Sequence, residues 1–154
     1  MERRINVKTI ILKGRKIYGG IAEGEALVMK GGLGGMGVFD VESGTVIELG
    51  HPWMNEKVGG KILVFKTGKG SSSWSMWHQT LRLMGNGPLA HIVTECNPQT
   101  ALGAVVARVP SVTDLDKDPT EVISTGDWVK VDADSGVVEV RKNQSKEAST
   151  SRTG

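Results

Sequence analysis

Residues 59–88 read "GGKILVFKTGKGSSSWSMWHQTLRLMGNGP". The run Ile62, Leu63, Val64 and Phe65 is apolar without alternation, the pattern of a strand covered on both faces, so it belongs in the middle of a sheet. Gly68 and Gly70 then break the strand. Beyond three serines, Trp74, Trp77, Leu81 and Met84 fall at i, i+3, i+7 and i+10, one stripe of an amphipathic helix that "GNGP" stops. A central strand, a glycine turn and a helix follow one another, and the rest of the chain has to be arranged around them.

Upstream, "VKTIILKG" (7–14) is β-rich and ends at a glycine, and "GEALVMKGG" (24–32) offers a second strand. "GVFDVESGTVIEL" (37–49) turns at Glu42-Ser43-Gly44 between two extended pieces, a hairpin or wide β-loop. Downstream, "AHIVTEC" (90–96) is a short strand. Asn97 then caps a helix that has Pro98 at its first position, runs through Ala101, Leu102, Val105 and Val106, and is closed by Pro110. "EVIST" (121–125), "DWVKVDAD" (127–134) and "GVVEVRK" (136–142) give two or three strands, ending in a hairpin about Asp134-Ser135-Gly136. Strands at both ends and helices in the middle predict an α+β domain over 1–142, a β-barrel-like or sandwich body with helices packed on it. The polar "NQSKEASTSRTG" (143–154) reads as a disordered tail.

At 154 residues the chain can form one domain with a substantial core. Its 21 glycines imply many tight turns, and its 19 basic and 17 acidic residues leave a formal charge of +2 with no basic patch in the core sequence that asks for nucleic acid. A single cysteine, Cys96, excludes an intrachain disulfide and fits a reducing compartment. With no apolar run of membrane-spanning length and no signal-peptide pattern at the start, the expectation is a cytoplasmic domain without a membrane partner.

Several motifs fail on their context. "GLGGMG" (32–37) satisfies G-x-G-x-x-G, but extended sequence follows where a dinucleotide site needs a helix. "TGKGSSS" (67–73) is no Walker loop, because Leu63 stands where the first glycine belongs and Gly70 follows Lys69 where Ser or Thr must hold magnesium. "DLDKDPTEVIST" (114–125) begins like a calcium loop, yet Pro119 replaces the required glycine and Thr125 the bidentate glutamate. His51, His78, His91 and Cys96 show no short metal-ligand spacing. What survives is general: a glycine turn between a buried strand and a helix presents free backbone N–H groups to an anion. Ser71, Ser72 and Ser73 stand there, where one serine would suffice as a helix cap.

Read in order, "GGLGGMGVFDVESGTVIELGHP" (31–52), "GGKILVFKTGKGSSSWS" (59–75) and "GNGPLAHIVTECNPQTALGAVVARVPSV" (85–112) resemble the small, swivelling subunit of the aconitase X dehydratases, and the likeness covers residues 8 to 141. The resemblance implies a swivelling β/β/α domain that works with a large subunit carrying an iron or iron–sulfur centre, one this single-cysteine chain does not bind alone. It implies that Ser71 is the base that removes the proton α to the carboxylate of a small hydroxy acid. Lys69, Gly70, Ser72 and Ser73 would bind that substrate, with the partner's iron drawing off the hydroxyl. The absence of an arginine after the serines argues against tricarboxylic substrates. The expected substrate is cis-3-hydroxy-L-proline, because no cation besides Lys69 stands near the turn for a phosphate; mevalonate 5-phosphate is the alternative. A non-catalytic anion-binding or regulatory module is the alternative of another class. Gly34 to Gly37 and His51-Pro52 match family elements that read first as structural turns, and Trp74 and Trp77 as core residues with faces available to the large subunit.

Overall fold

The computed structural model describes residues 8–144. Its centre is the apolar run of 62–65, here the strand Lys61–Phe65 with Ile62 to Phe65 all fully buried. In chain order the elements are β1 (Thr9–Lys13), β2 (Arg15–Tyr18), β3 (Ile21–Val28), β4 (Phe39–Asp40), β5 (Thr45–Val46), β6 (Lys61–Phe65), α1 (Trp74–Leu83), β7 (Ala90–Val93), α2 (Pro98–Ala107), β8 (Ser111–Thr113), α3 (Pro119–Val122), β9 (Trp128–Asp132) and β10 (Val137–Arg141). Eight strands join in the order β1-β10-β9-β3-β6-β7-β8-β2, and β4 and β5 form a separate small hairpin. β3, β6, β7 and β8 run parallel to one another, with α1 and α2 as the crossovers between β6, β7 and β8, while the remaining pairs are antiparallel.

The barrel-like body follows from one residue. β1 and β2 lie at opposite ends of the strand order, yet Gly14 alone joins them in sequence. The sheet therefore curls until its two ends meet. Gly14 donates its N–H to the Gly136 carbonyl at 2.8 Å, and a Cβ on it would meet Leu115 and the Thr113 carbonyl at 2.5 Å, so no side chain fits at the seam. Leu12, Ala26, Ile62, Val64, Ala90, Ile92, Val112, Val129, Val131, Val138 and Val140, from seven strands, make one buried cluster inside the curl. Alternate residues Leu27, Leu63, Phe65 and Val93 face outward into a second cluster with Leu33, Val38, Phe39, Trp53, Trp74 and Leu81. β6 is apolar throughout because both of its faces are interior.

The helices differ from the sequence expectation in phase and in number. α1 buries Trp74, Ser75, His78 and Leu81, whereas Trp77 is half-buried and Met84, its C-cap, is exposed. The stripe is thus i, i+4, i+7 through a histidine, which apolar counting passes over. Asn97 caps α2 in a full capping box with Thr100, and Pro98 opens it. Gly103 of α2 is where the two helices meet: a Cβ there would overlap the Trp74 ring. "EVIST" is not a strand, because Asp118 accepts from the Thr120 N–H and starts the short helix α3, which takes up Glu121 and Val122. β2 and β8 were not expected; each is short, and they pair only with each other and with β7. Of the polar tail expected from Asn143, residues 145–154 lie outside the described residues, and Asn143 itself donates its N–H to Asp127 at 2.9 Å.

Candidate active site

Parallel sheets place ligands beyond the carboxyl ends of their strands. Here two neighbouring parallel strands, β3 and β6, end side by side, and the loops that leave them stay paired: Leu33 donates to the Thr67 carbonyl and accepts from the Lys69 N–H, each at 2.9 Å. The glycine loop and the lysine–serine turn, more than thirty residues apart in sequence, are therefore laid against each other. α2 steadies the turn from behind. Asn97 Nδ2 donates to the Gly68 carbonyl at 2.7 Å and Gln99 Nε2 to the Gly70 carbonyl at 3.1 Å.

Between the two loops lies an open cleft of about 340 Å³, lined by Gly34, Gly35, Met36, Val38, Glu48, Lys69, Gly70, Ser71, Ser73 and Trp74. It is of the size that holds a small ligand. Four of the five residues expected at the site line it, namely Lys69, Gly70, Ser71 and Ser73. Ser72 is exposed beside the cleft and does not line it. The glycine loop, read from the sequence first as a structural turn, forms the opposite wall. Glu48 was missed altogether: among 17 carboxylates nothing in the sequence marks it, and only the fold carries it to the cleft.

The serines do not cap the helix. Ser73 occupies the N-cap position of α1 without a side-chain cap hydrogen bond. Instead the Ser73 N–H donates to Ser71 Oγ at 3.3 Å, and the hydroxyls of Ser71 and Ser73 share a hydrogen bond of 2.7 Å. With the Ser73 hydroxyl turned as donor, Ser71 Oγ has two donors from one residue, an arrangement that favours developing negative charge on that oxygen. Ser71 is exposed, Lys69 lines the same cleft, and α1 has no acidic residue in its first turn to oppose an anion there.

Behind the cleft stands a buried aromatic and histidine layer. Trp74 Nε1 donates to the Leu33 carbonyl at 2.8 Å, and His78, stacked on Trp74 with centroids 3.7 Å apart, bonds through Nε2 to the Gly34 carbonyl at 3.1 Å. A carbonyl only accepts, so Nε2 carries the proton. Trp74 is 1% exposed, which agrees with its reading as a core residue and corrects the expectation that it offers a face to the large subunit. His51 accepts the Trp53 N–H on Nδ1 at 2.9 Å, so the His51-Pro52 element is a turn with its histidine buried and its proline exposed.

Burial pushes His78 down to about 4, against a small opposing effect of the Gly34 carbonyl. It pushes His91 down to about 3, with His78 adding to the shift. An unfolded chain binds protons on both rings as pH falls through 6.5, whereas the folded chain does not until these lower values. Stability that is complete above pH 6.5 is therefore lost as pH falls toward 4, by up to about 1.4 kcal/mol per pH unit for each ring. The urea midpoint is expected to drop between pH 7 and 5.5, and an unchanged midpoint would show that the rings take up protons freely in the folded state.

Aconitase X swivel domain is the description of the family model that matches residues 11–140. The chain belongs to this family. It is 40% identical to the phosphomevalonate dehydratase small subunit of Methanocella arvoryzae over 129 residues, 84% of this chain and 98% of that one. To the protein of the same name from Thermococcus kodakarensis it is 41% identical over 129 residues, 84% of this chain and 95% of that one. The crystal structure of Thermococcus kodakaraensis aconitase X in its holo-form superposes with a TM-score of 0.81 at 40% identity, covering 86% of this chain and 99% of that one. By the extent of these matches the chain is a small subunit of the aconitase X dehydratase type. The mixed sheet with few flanking helices is the swivel-domain architecture.

The described residues do not by themselves form an iron site. Among the described residues no three His, Cys, Asp or Glu side chains converge where a metal would sit, and Cys96 stands alone. Among the described residues, no helix is long and apolar enough to cross a membrane.

Proposed function

We propose that this chain is the small subunit of a mevalonate 5-phosphate dehydratase and that Ser71 is the base of the reaction. The reading rests on one observation above all: relatives 38–41% identical over 84–86% of this chain carry the name phosphomevalonate dehydratase small subunit. These names favour the phosphorylated acid over cis-3-hydroxy-L-proline, the substrate expected from the sequence. The cleft supports the same class of chemistry, with a hydroxyl held by two donors, one cation and an open side for a second subunit.

Dehydration of a 3-hydroxy acid removes a proton from the carbon next to the carboxylate and hydroxide from the carbon beyond. The C–H electron pair becomes the new double bond, and the proton and hydroxide leave as water overall. Ser71 Oγ takes the proton. Its alkoxide character is supported by the Ser73 N–H and hydroxyl, by the N-terminal end of α1 and by Lys69. The helix end supplies only about 0.3 to 1 kcal/mol in an exposed setting, so the direct donors and the ammonium carry most of the effect. Lys69 and Gly70 hold the substrate, with Ser73 lining the cleft behind Ser71 and Ser72 at the outer edge. An iron or iron–sulfur centre on the large subunit would supply Lewis-acid assistance to the departing hydroxyl.

Co-expression with the large subunit tests the reading. The complex is expected to dehydrate mevalonate 5-phosphate with a kcat/KM at least about 100-fold above that for cis-3-hydroxy-L-proline, because a complex built for a phosphate loses that interaction with the imino acid. Comparable or reversed values sink the assignment. An assembled, metal-loaded complex inactive on both acids would favour a regulatory module.

A further inference from the structure

We propose that the backbone N–H groups of Gly35 and Met36 form the second half of the substrate's carboxylate site, and that His78 is the positioning residue that aims them. The proposal rests on the reading of Ser71 as base above and adds the donors that the reaction needs on the opposite wall. Proton removal next to a carboxylate drives negative charge onto its oxygens, so a productive site places fixed donors where that charge grows. On the Ser71 side the nearby Ser73 N–H is already committed to Ser71 Oγ.

The glycine loop supplies what is missing. In a trans peptide the carbonyl and the following N–H point in opposite directions. The Gly34 carbonyl is held by the fully buried His78 and the Gly35 carbonyl by the N–H of buried Val38 at 3.3 Å. Both carbonyls are thus turned toward interior groups. The N–H groups of Gly35 and Met36 must then face the other way, toward the open side of the loop, where both residues line the cleft with Ser71. Among the described residues no acceptor stands on either N–H. Two adjacent backbone donors of this kind form a concavity suited to one oxygen of an anion. A Cβ on Gly35 would meet Trp74 Cα at 3.2 Å and Trp77 Cβ at 3.4 Å, so the loop lies close against α1 and cannot readily retreat. Lys69 reaches the same wall, since a Cβ on Gly34 would lie 3.8 Å from Lys69 Cε. His78 spends its one proton on the Gly34 carbonyl, touches no part of the cleft, and so acts only through the loop.

Two experiments on the assembled complex decide it. The first is a crystal structure of the Ser71→Ala complex soaked with whichever of the two hydroxy acids the wild-type complex turns over. A carboxylate oxygen is expected within about 3.2 Å of both the Gly35 and Met36 nitrogens. A carboxylate bound elsewhere, or a phosphate in that position, overturns the proposal. The second compares kcat and KM of two variants. His78→Phe keeps a ring on Trp74 but lacks the donor, and is expected to lower kcat by about 10²- to 10³-fold with KM within about threefold. His78→Gln, whose Nε2 stands in the equivalent position, is expected to restore most of that rate. Equal losses in both variants, or a change in KM alone, overturn the positioning role. Should Ser71→Ala retain its turnover, the base assignment falls while the position of the bound carboxylate still decides the role of the loop.

Discussion

In the complex with the large subunit, Ser71→Ala is expected to lower kcat by about 10²- to 10⁴-fold, the range for loss of a positioned general base, while KM changes little. The split follows from where Ser71 stands. It is exposed at the cleft, and among the described residues its hydroxyl bonds only to Ser73, so its removal leaves no cavity in either buried cluster and no orphaned interior group. Assembly and melting temperature should match the unaltered complex. Lys69 and the backbone donors remain to hold the acid, which keeps its affinity. Gel filtration, calorimetry with the substrate and initial rates read the three quantities separately, and a rate within a few-fold of wild type would remove the serine from the mechanism.

The largest expected loss of stability lies far from the cleft, at a residue that the sequence did not single out. Asp127 is 1% exposed and gathers the C-terminal strand: Oδ2 accepts from Lys142 Nζ at 2.6 Å and from the Ser124 N–H at 2.8 Å, and Oδ1 from the Asn143 N–H at 2.9 Å. Lys142 is itself mostly buried, with a side-chain exposure of 17%. Asp127→Ala removes the carboxylate that neutralises that ammonium, leaving it the Val122 carbonyl and the Ser124 hydroxyl, and takes the acceptor from two backbone N–H groups; loss of one partner of such a pair costs up to about 3–5 kcal/mol. For a chain of this size the melting temperature should fall on the order of 10 °C. Lys142→Met in the same background should recover part of the loss, because the remaining chain then buries no unpaired charge. A melting temperature within a degree or two of wild type in Asp127→Ala would show that the pair does not hold the strand. These measurements belong on the purified chain, where large-subunit binding does not mask them.

Much of the architecture was legible because local chemistry and global position agreed. The unbroken apolar run at 62–65 has both faces buried, Asn97-Pro98 starts a helix by its own capping chemistry, and Asp134-Ser135-Gly136 joins β9 to β10 as a tight turn should. Elsewhere position overrides pattern. His78 lies on the buried face of α1 because stacking on Trp74 and a carbonyl partner satisfy it, and no apolar period reveals a satisfied histidine. Residues 121–125 read as a strand, but the Asp118 cap, two residues before Thr120, makes Glu121 and Val122 the end of a helix.

The sequence by itself determined the strand–turn–helix unit, the glycines that leave its turn open, and the order of motifs by which the chain resembles its family. These are local properties, fixed by propensity, capping and spacing within a few residues. Only the tertiary structure decided that the glycine loop after β3 faces Ser71, that Glu48 reaches the same cleft, and that Trp74 is wholly interior. Those are consequences of strand register: β3 and β6 pair in parallel across a gap of more than thirty residues, and no local pattern records which two loop ends such a pairing will bring together.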